Sequence, residues 1–276
     1  MGLTSAQLDV LDLEPRIGSE IRTDLDTLLS GREAASIRST LEQRGVVFFR
    51  GLEIGDEQQV AIAETLGAIP ANEGQGGIYK ISLDKNVNQR AEYLKGSMFW
   101  HFDGSLQPYP NLATLLRAVE LSDTGGETEF CNTYAAYDDL PQADKGYIAE
   151  LRVVHSAERS QYYVRPEMSY DEITFWQKSP TKACPMVWTH RSGRKSLLLG
   201  ATADYVIGLP VEESRALLAR LRDWATQPQY VYRHHWQPGD LLIWDNTGTM
   251  HRVLEYPADS GRLMHRTILA GEEPLN

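Results

Sequence analysis

The strongest constraint on the fold is a change of pattern near Phe99, after which short apolar stretches alternate with turn-forming residues. Turn signals at 123–126, 192–193 and 238–239 separate these stretches. Several short strands joined by glycine and proline turns are typical of a β-sandwich or barrel. The stretches that we predict to be strands are 113–121, 128–131, 186–190, 196–199, 240–245 and 263–270.

The first part of the chain has a helical pattern instead. Ser30 and Glu33 form a capping-box pattern before a stretch rich in helix formers, which Gly45 ends. Residues 45–51 are a short apolar run bounded by glycines and are predicted to be a buried strand. Asp56 is placed to cap a second helix that runs to about residue 66. We therefore expect helices and one strand over 30–70.

Three later segments complete the prediction. Residues 71–97 contain several glycines and are predicted to be a long loop with a short strand at 78–81. Residues 211–224 place leucines on one face of a helix. Residues 158–178 are aromatic and charged without a clean period, so they are interpreted as a lid over a site or as an irregular insertion.

Composition limits the class of protein. The chain has 276 residues and no internal repeat or linker, so one domain over 1–276 is expected. The net charge is −11, from 27 basic and 38 acidic residues, which argues against nucleic acid and anionic membranes as partners. No apolar run is long enough to span a membrane.

The chain start and the cysteines indicate a compartment. The first fifteen residues lack the charged and apolar regions of a signal peptide. Cys131 and Cys184 lie far apart in apolar settings, and two buried free thiols are a better interpretation than a disulfide. A cytoplasmic protein is therefore expected. A homo-oligomer is expected only because symmetric oligomers are common among enzymes.

The clearest chemical motif is Trp100-His101-Phe102-Asp103. Residues two apart in an extended strand face the same side, so His101 and Asp103 should point together and Phe102 away. One imidazole and one carboxylate supply two ligands of the facial triad that binds iron(II) and leaves positions open. His251, after a β run and a polar turn, is the best third ligand. Two histidines and a carboxylate also suit zinc, which leaves a zinc hydrolase as an alternative.

Two arginines follow His251. Arg262 and Arg266 are four residues apart in one β run, so they share a face. A guanidinium binds a carboxylate through two hydrogen bonds, so one arginine suits the far carboxylate of a dicarboxylate co-substrate. The other suits an anionic substrate. Ordinary ion pairs with Asp or Glu remain an alternative for both arginines.

Together these motifs resemble the taurine dioxygenase/2,4-D dioxygenase family of iron(II)- and 2-oxoglutarate-dependent oxygenases. The resemblance covers most of the chain and consists of five motifs in order, which are Trp100-His101-x-Asp103, Gly125-Gly126-Glu-Thr128, 187–195, 244–251, and Arg262 with Arg266. It implies a mainly β, cupin-like double-stranded β-helix (jelly roll) with flanking helices, its core at about 99–272.

The resemblance also implies roles for the matching residues. His101, Asp103 and His251 would bind iron(II), and Thr128 with Arg262 would hold the distal carboxylate of 2-oxoglutarate. Arg266 would lie near the coordinated end of the co-substrate and reach an anionic group on the substrate. Iron(II), 2-oxoglutarate and O₂ would then oxidise a C–H bond, giving succinate and CO₂.

The chain departs from the taurine dioxygenases where they bind taurine. They use a histidine after the second helix and an asparagine shortly before the first metal ligand, whereas 67–73 has no histidine here and Ser97 occupies the second position. Taurine is therefore not the expected substrate. Asp103 is retained, which favours hydroxylation over halogenation.

The substrate is predicted to be a small organic anion. The residues expected to line its pocket are Arg266, Ser97, Phe102, Tyr79, Tyr163 and Arg165, with Tyr162 and Trp176 as further aromatic candidates. A non-catalytic sensor of metal or 2-oxoglutarate, built on the same scaffold, is a second alternative beside the zinc hydrolase.

Overall fold

The fold is taken from a computed structural model that describes residues 8–275. The first seven residues, on which the absence of a signal peptide was partly argued, lie outside this range. Between residues 8 and 275, no helix is both long and apolar enough to cross a membrane.

Strands and helices are interspersed along the described chain. The strands are β1 (Asp9–Asp12), β2 (Ser19–Arg22), β3 (Val46–Phe49), β4 (Tyr79–Ile81), β5 (Ala113–Glu120), β6 (Thr128–Asn132), β7 (Arg152–His155), β8 (Lys182–Pro185), β9 (Val187–Thr189), β10 (Lys195–Leu197), β11 (Ala203–Val206), β12 (Val231–His234), β13 (Leu241–Asp245), β14 (Thr249–Val253) and β15 (Leu263–Ile268). The α-helices are α1 (Leu25–Ser30), α2 (Ala34–Arg44), α3 (Asp56–Leu66), α4 (Ala91–Leu94), α5 (Thr133–Asp138), α6 (Gln142–Ile148), α7 (Ala157–Val164), α8 (Tyr170–Trp176) and α9 (Val211–Ala225). Short 3₁₀ turns cover Lys95–Met98 and Pro228–Tyr230.

A large sheet organises the described part of the chain. Its strand order is β1-β2-β3-β13-β5-β15-β4, with β2 and β3 parallel and the other pairs antiparallel. Alternate residues of a strand face opposite sides, and β13 uses both. Leu241 and Ile243 pack with α3, whereas Leu242 and Trp244 pack with the strands opposite. Burial on both faces explains why the first four residues of β13 are all apolar.

A smaller antiparallel sheet, in the order β12-β6-β14, covers the second face of the large one. Phe130 of β6 and Tyr232 of β12 meet Phe48, Leu116 and Leu242 of the large sheet in one apolar layer. The two sheets therefore form a sandwich. Two further small sheets are formed by β9 with β10 and by β11, β7 and β8 in that order. Helix α5 packs with β10, and helix α9 packs with β11.

Most of the predicted elements are confirmed. Helices end at residues 44 and 66, as predicted. A strand also overlaps each predicted stretch, namely 45–51, 78–81, 113–121, 128–131, 186–190, 196–199, 240–245 and 263–270. The capping box is wrong, because Ser30 is the last residue of α1 and its hydroxyl donates to the Thr27 carbonyl. Helix α2 begins after Glu33, which makes no side-chain cap.

The balance of helix and strand corrects a broader expectation. Helices occupy about as much of the described chain as strands do, so the fold is mixed rather than mainly β. Much of the difference comes from 158–178, which folds as α7 and α8 rather than as an irregular insertion. Ser156 caps α7, and Ser169 with Glu172 forms a capping box on α8, so local polar side chains explain both helices.

Candidate active site

The three predicted metal ligands converge because two distant segments pair at one point. His101 and His251 exchange both backbone hydrogen bonds, each with N and O 3.0 Å apart. This pairing adds residue 101 to the outer side of β14 and places the two imidazole ring centroids 4.0 Å apart. Asp103 follows two residues later. One ligand atom from each of the three side chains lies within 4.8 Å of the others.

The local conformation differs from the predicted strand. His101 forms a single bridge, and the chain turns at Asp103 instead of continuing in extended form. The turn brings the carboxylate back toward both rings, with Asp103 Oδ1 3.7 Å from His101 Nε2 and Asp103 Oδ2 3.8 Å from His251 Nε2. Convergence is therefore confirmed, but a turn rather than strand alternation produces it.

The electrostatics of these groups suit a cation. Burial lowers the pKa of His251 to about 3, so this ring is neutral at pH 7 and its Nε2 keeps a lone pair. Burial alone would raise the pKa of Asp103, but His251, His101 and Arg266 hold it below its usual value. His101 Nδ1 lies 2.9 Å from the Phe99 carbonyl, so it donates there and leaves Nε2 as the free acceptor.

The donor set therefore fits the expected metal. Two neutral imidazole nitrogens and one carboxylate on one side of a cavity match the facial triad of iron(II) oxygenases. The orientation of His101 is fixed by its bond to Phe99, as is usual for metal-binding histidines. His251 Nδ1 is buried and has no hydrogen-bond partner among residues 8–275, and its ring is fixed instead by Trp244, 4.6 Å away between centroids.

The ligands open onto a cavity of about 360 Å³. Its wall includes Thr128, Tyr256, Arg262 and Arg266 beside the three metal ligands. The Arg262 guanidinium is buried, stacks 4.7 Å above the Tyr256 ring and donates to the Gly126 carbonyl at 3.1 Å. No carboxylate of the described chain lies within 4.0 Å of it. Burial lowers the pKa of this uncompensated cation.

Thr128 can add a second donor beside Arg262. Its hydroxyl oxygen accepts a hydrogen bond from Trp236 Nε1 at 3.0 Å, and no acceptor for its proton is found in 8–275. A hydroxyl has one proton and two lone pairs, so the proton is free to point into the cavity. Arg262 and Thr128 thus line the same cavity, and their N–H and O–H groups are donors of the kind that a carboxylate accepts from.

Arg266 has different surroundings. Its Nε and Nη2 donate to Glu73 at 3.1 and 3.4 Å, and its guanidinium lies 4.8 Å above the Tyr79 ring. The ion-pair alternative thus holds for Arg266 and not for Arg262. Arg266 still forms part of the cavity wall.

The other predicted substrate residues divide into two groups. Ser97 and Phe102 line the cavity, and Tyr79 supports Arg266. Tyr163 packs against Phe99 and faces a neighbouring groove, while Arg165 is half exposed and pairs with Glu172. Tyr163 and Arg165 are therefore not part of the cavity wall, which corrects the prediction for both residues. Tyr163 is directed toward Phe99, and Arg165, just after the end of α7, is directed toward Glu172.

Several residues that form the cavity wall, or that contact wall residues from behind, were missed by the sequence analysis. Glu73 lies in a glycine-rich loop, where no periodicity marks a buried position, and Trp236 follows the end of β12. Ser160 and Gln161 of α7 reach the cavity from the segment predicted as a lid or an insertion. Only their place within that segment could have drawn attention to them.

Comparisons with known proteins agree with this geometry. Residues 9–268 match the family described as "Taurine catabolism dioxygenase TauD, TfdA family". The chain belongs to this family. The chain is also similar to an alpha-ketoglutarate-dependent 2,4-dichlorophenoxyacetate dioxygenase of Burkholderia sp. (strain RASC). The two are 34% identical over 278 residues, which cover 92% of this chain and 91% of that protein.

Two further relatives broaden the comparison. An alpha-ketoglutarate-dependent sulfate ester dioxygenase of Pseudomonas putida is 31% identical over 284 residues, covering 98% of this chain and 91% of that protein. The crystal structure of AAD-2 in complex with Mn(II) and N-oxalylglycine is similar with a TM-score of 0.83 and 33% identity, covering 98% of this chain and 100% of that one. Membership of the TauD, TfdA family favours an oxygenase over the zinc hydrolase and the sensor.

Proposed function

We propose that this TauD, TfdA family protein oxidises a C–H bond of a small organic acid, with His101, Asp103 and His251 as the iron ligands. The chain is a 2-oxoglutarate-dependent dioxygenase, and its cofactors are iron(II), 2-oxoglutarate and O₂. The observation that carries the site assignment is one cavity holding both a converged facial triad and a buried arginine without a counter-ion. A zinc hydrolase needs no dicarboxylate co-substrate, so it would have no ligand for that arginine to bind.

The protein residues bind and orient the reactants. Arg262 and the Thr128 hydroxyl would hold the distal carboxylate of 2-oxoglutarate, and His101, Asp103 and His251 would hold the metal that its 2-oxo acid end binds. Iron, when bound, supplies an oxidant from O₂ and the co-substrate, and the balanced reaction turns C–H, 2-oxoglutarate and O₂ into C–OH, succinate and CO₂. The apolar wall, including Leu116 and Met264, limits the access of water to the reacting carbon.

The acidic group of the substrate is assigned to Arg266. This guanidinium belongs to β15, four residues after Arg262, and it lines the same cavity as Arg262. Relatives named for 2,4-dichlorophenoxyacetate and for sulfate esters support an anionic substrate. A carboxylate next to an ether oxygen and a sulfate ester both fit this assignment.

Four expectations about the whole protein are kept as proposals. The sandwich of two sheets supports a double-stranded β-helix in one catalytic domain over 1–276, with its core at about 99–272.

Helix α7 contributes to the cavity wall, which supports a lid function for 158–178. Cys131 and Cys184 are buried free thiols, which supports the cytoplasm. A homo-oligomer remains an expectation from the frequency of such enzymes.

The test is an anaerobic titration of metal-free protein with iron(II) and then 2-oxoglutarate. We expect the visible charge-transfer band of the chelate in the native protein, and its loss in His101→Ala and Asp103→Ala. His235→Ala is the matched control, because this histidine is exposed and lies outside the cavity. A normal band in both ligand variants would show that the metal binds elsewhere.

A further inference from the structure

A buried carboxylate lies against the arginine that we assign to the substrate. Glu73, in the loop between α3 and β4, is only 5% exposed. Its two oxygens accept separate hydrogen bonds from Arg266, from Nε at 3.1 Å and from Nη2 at 3.4 Å. A carboxylate of the chain thus occupies the Nε/Nη2 edge, one of the two edges through which the guanidinium can donate a pair of hydrogen bonds to an acid.

The other donors of Arg266 remain available to a ligand. Tyr79 covers one face of the guanidinium, and Glu73 takes Nε and one Nη2 proton. Nη1 has no acceptor in the described residues, although Arg266 lines the metal cavity. The guanidinium is therefore fixed from two sides with one amino group left to bind a substrate.

Arg262 and Arg266 consequently present different net charge to the cavity. Arg262 has no counter-ion within 8–275, which suits a co-substrate dianion that must be held tightly. The positive charge of Arg266 is offset by Glu73, and burial is the largest influence on Glu73, whose pKa lies above its usual value. An anion that approaches Arg266 meets Glu73 and Asp103 as like charges nearby.

We propose that Glu73 is a positioning residue that determines substrate specificity. It orients Arg266 so that Nη1 binds the acidic group of the substrate, and its negative charge limits how strongly anions bind relative to neutral molecules of the same shape. The proposal rests on the proposed function, since it takes the cavity beside Arg266 as the substrate site.

The experiment is calorimetry on protein loaded with Mn(II) and N-oxalylglycine, with phenoxyacetate as the anionic probe and phenoxyacetamide as the neutral one. Glu73→Gln keeps the shape and one acceptor but removes the charge. We expect phenoxyacetate to bind on the order of tenfold more tightly to this variant, because one like charge is gone at close range. Phenoxyacetamide should change by about twofold or less, since it carries no charge.

Two variants separate charge from packing. Glu73→Asp keeps the charge on a shorter side chain, so the preference between acid and amide should stay near that of the native protein. Glu129→Gln removes an equally buried carboxylate that pairs with Arg233 and Arg252 outside the cavity, and it should leave the preference unchanged.

Three results would overturn the proposal. Weaker binding of phenoxyacetate to Glu73→Gln, or equal changes for acid and amide, would show that Glu73 acts on packing alone. Failure of phenoxyacetate to bind either protein would show that removal of Glu73 exposes no usable anion site. Binding of N-oxalylglycine to the native protein is measured first, and its absence would contradict the proposed function itself.

Discussion

A single residue of the cavity can lower the stability of the ligand-free protein and at the same time strengthen the binding of a reactant. Arg262 is the clearest case, since a buried guanidinium with one hydrogen bond to Gly126 and no carboxylate partner in 8–275 is costly without a ligand. The 2-oxoglutarate carboxylate would remove that cost. Evolution for stability alone would replace such a residue with an apolar one.

Arg262→Met should therefore separate stability from binding. The variant keeps the packing on Tyr256 but removes the unpaired charge, so the metal- and ligand-free protein should gain about 1 kcal/mol or more of unfolding free energy. N-oxalylglycine binding should weaken on the order of a hundredfold, since a charge-assisted bidentate contact is lost. Urea unfolding and calorimetry measure the two quantities. A less stable empty protein with unchanged ligand affinity would contradict this account.

At the scale of elements, the metal ligands depend on a close approach between backbones. Gly200 follows β10 and has φ of +108°, and a Cβ there would lie 3.0 Å from the Cα of His101 and 3.1 Å from the Trp100 carbonyl. Ala201 N also donates to that carbonyl at 2.8 Å. The segment around Gly200 thus supports the bridge residue His101 from the side opposite to β14.

Gly200→Ala should lower both stability and metal affinity. Backbone strain and the contact with His101 together should cost about 1–3 kcal/mol of unfolding free energy. The displaced His101 should weaken Mn(II) binding, measured by calorimetry. Gly193→Ala is a matched control, because Gly193 also has positive φ, at +84°, but a Cβ there would meet no described atom within 4 Å. Equal metal affinity in the two variants would show that the close approach does not position His101.

The elements also show how far sequence reasoning extends. Strands β5 and β13 were predictable because most of their residues are apolar and turn residues adjoin each strand. Strand β14 was interpreted as a polar turn, because Thr249, His251 and Arg252 obscure its pattern while a sheet partner, β6, supplies its hydrogen bonds. Pairing with a distant strand overrides local composition in this way.

The same limit applies to the site. His101, Asp103, His251, Thr128 and Arg262 stand in recognisable motifs, and the structure brings them to one cavity. Glu73 belongs to no motif, because its role depends on where a glycine-rich loop meets Arg266 in space. Contacts of this kind are set by the tertiary fold, so sequence spacing cannot reveal them.

At the scale of the whole molecule, a buried polar chain joins the cavity wall to the small β11-β7-β8 sheet. Ser105 and Thr202 line the cavity, their hydroxyl oxygens are 3.0 Å apart, and Thr202 Oγ1 lies 2.9 Å from His155 Nδ1 on β7. His155 is fully buried, and its Nε2 has no partner within 8–275. Burial, with a smaller effect of Lys182, lowers the pKa of His155 to about 4.

This histidine should make the stability of the whole protein depend on pH. Above the unfolded pKa of about 6.5 the ring is neutral in both states, so folding carries no penalty. As the pH falls below about 6.5, His155 of the unfolded chain becomes protonated, whereas His155 of the folded protein stays neutral until about pH 4. The free energy of unfolding therefore decreases as the pH falls through this range. At pH 5 the loss from His155 should be about 2 kcal/mol relative to pH 7.5.

The variant His155→Asn isolates this contribution, because its amide can keep the hydrogen bond to Thr202 without titrating. Urea unfolding of metal-free protein at pH 7.5 and 5.0 should show a smaller loss in the variant, by about 2 kcal/mol. Other histidines with lowered pKa values, such as His234, are present in both proteins and cancel in the difference. Parallel pH profiles would mean that His155 gains a partner, such as water at Nε2, that keeps its pKa near that of the unfolded chain.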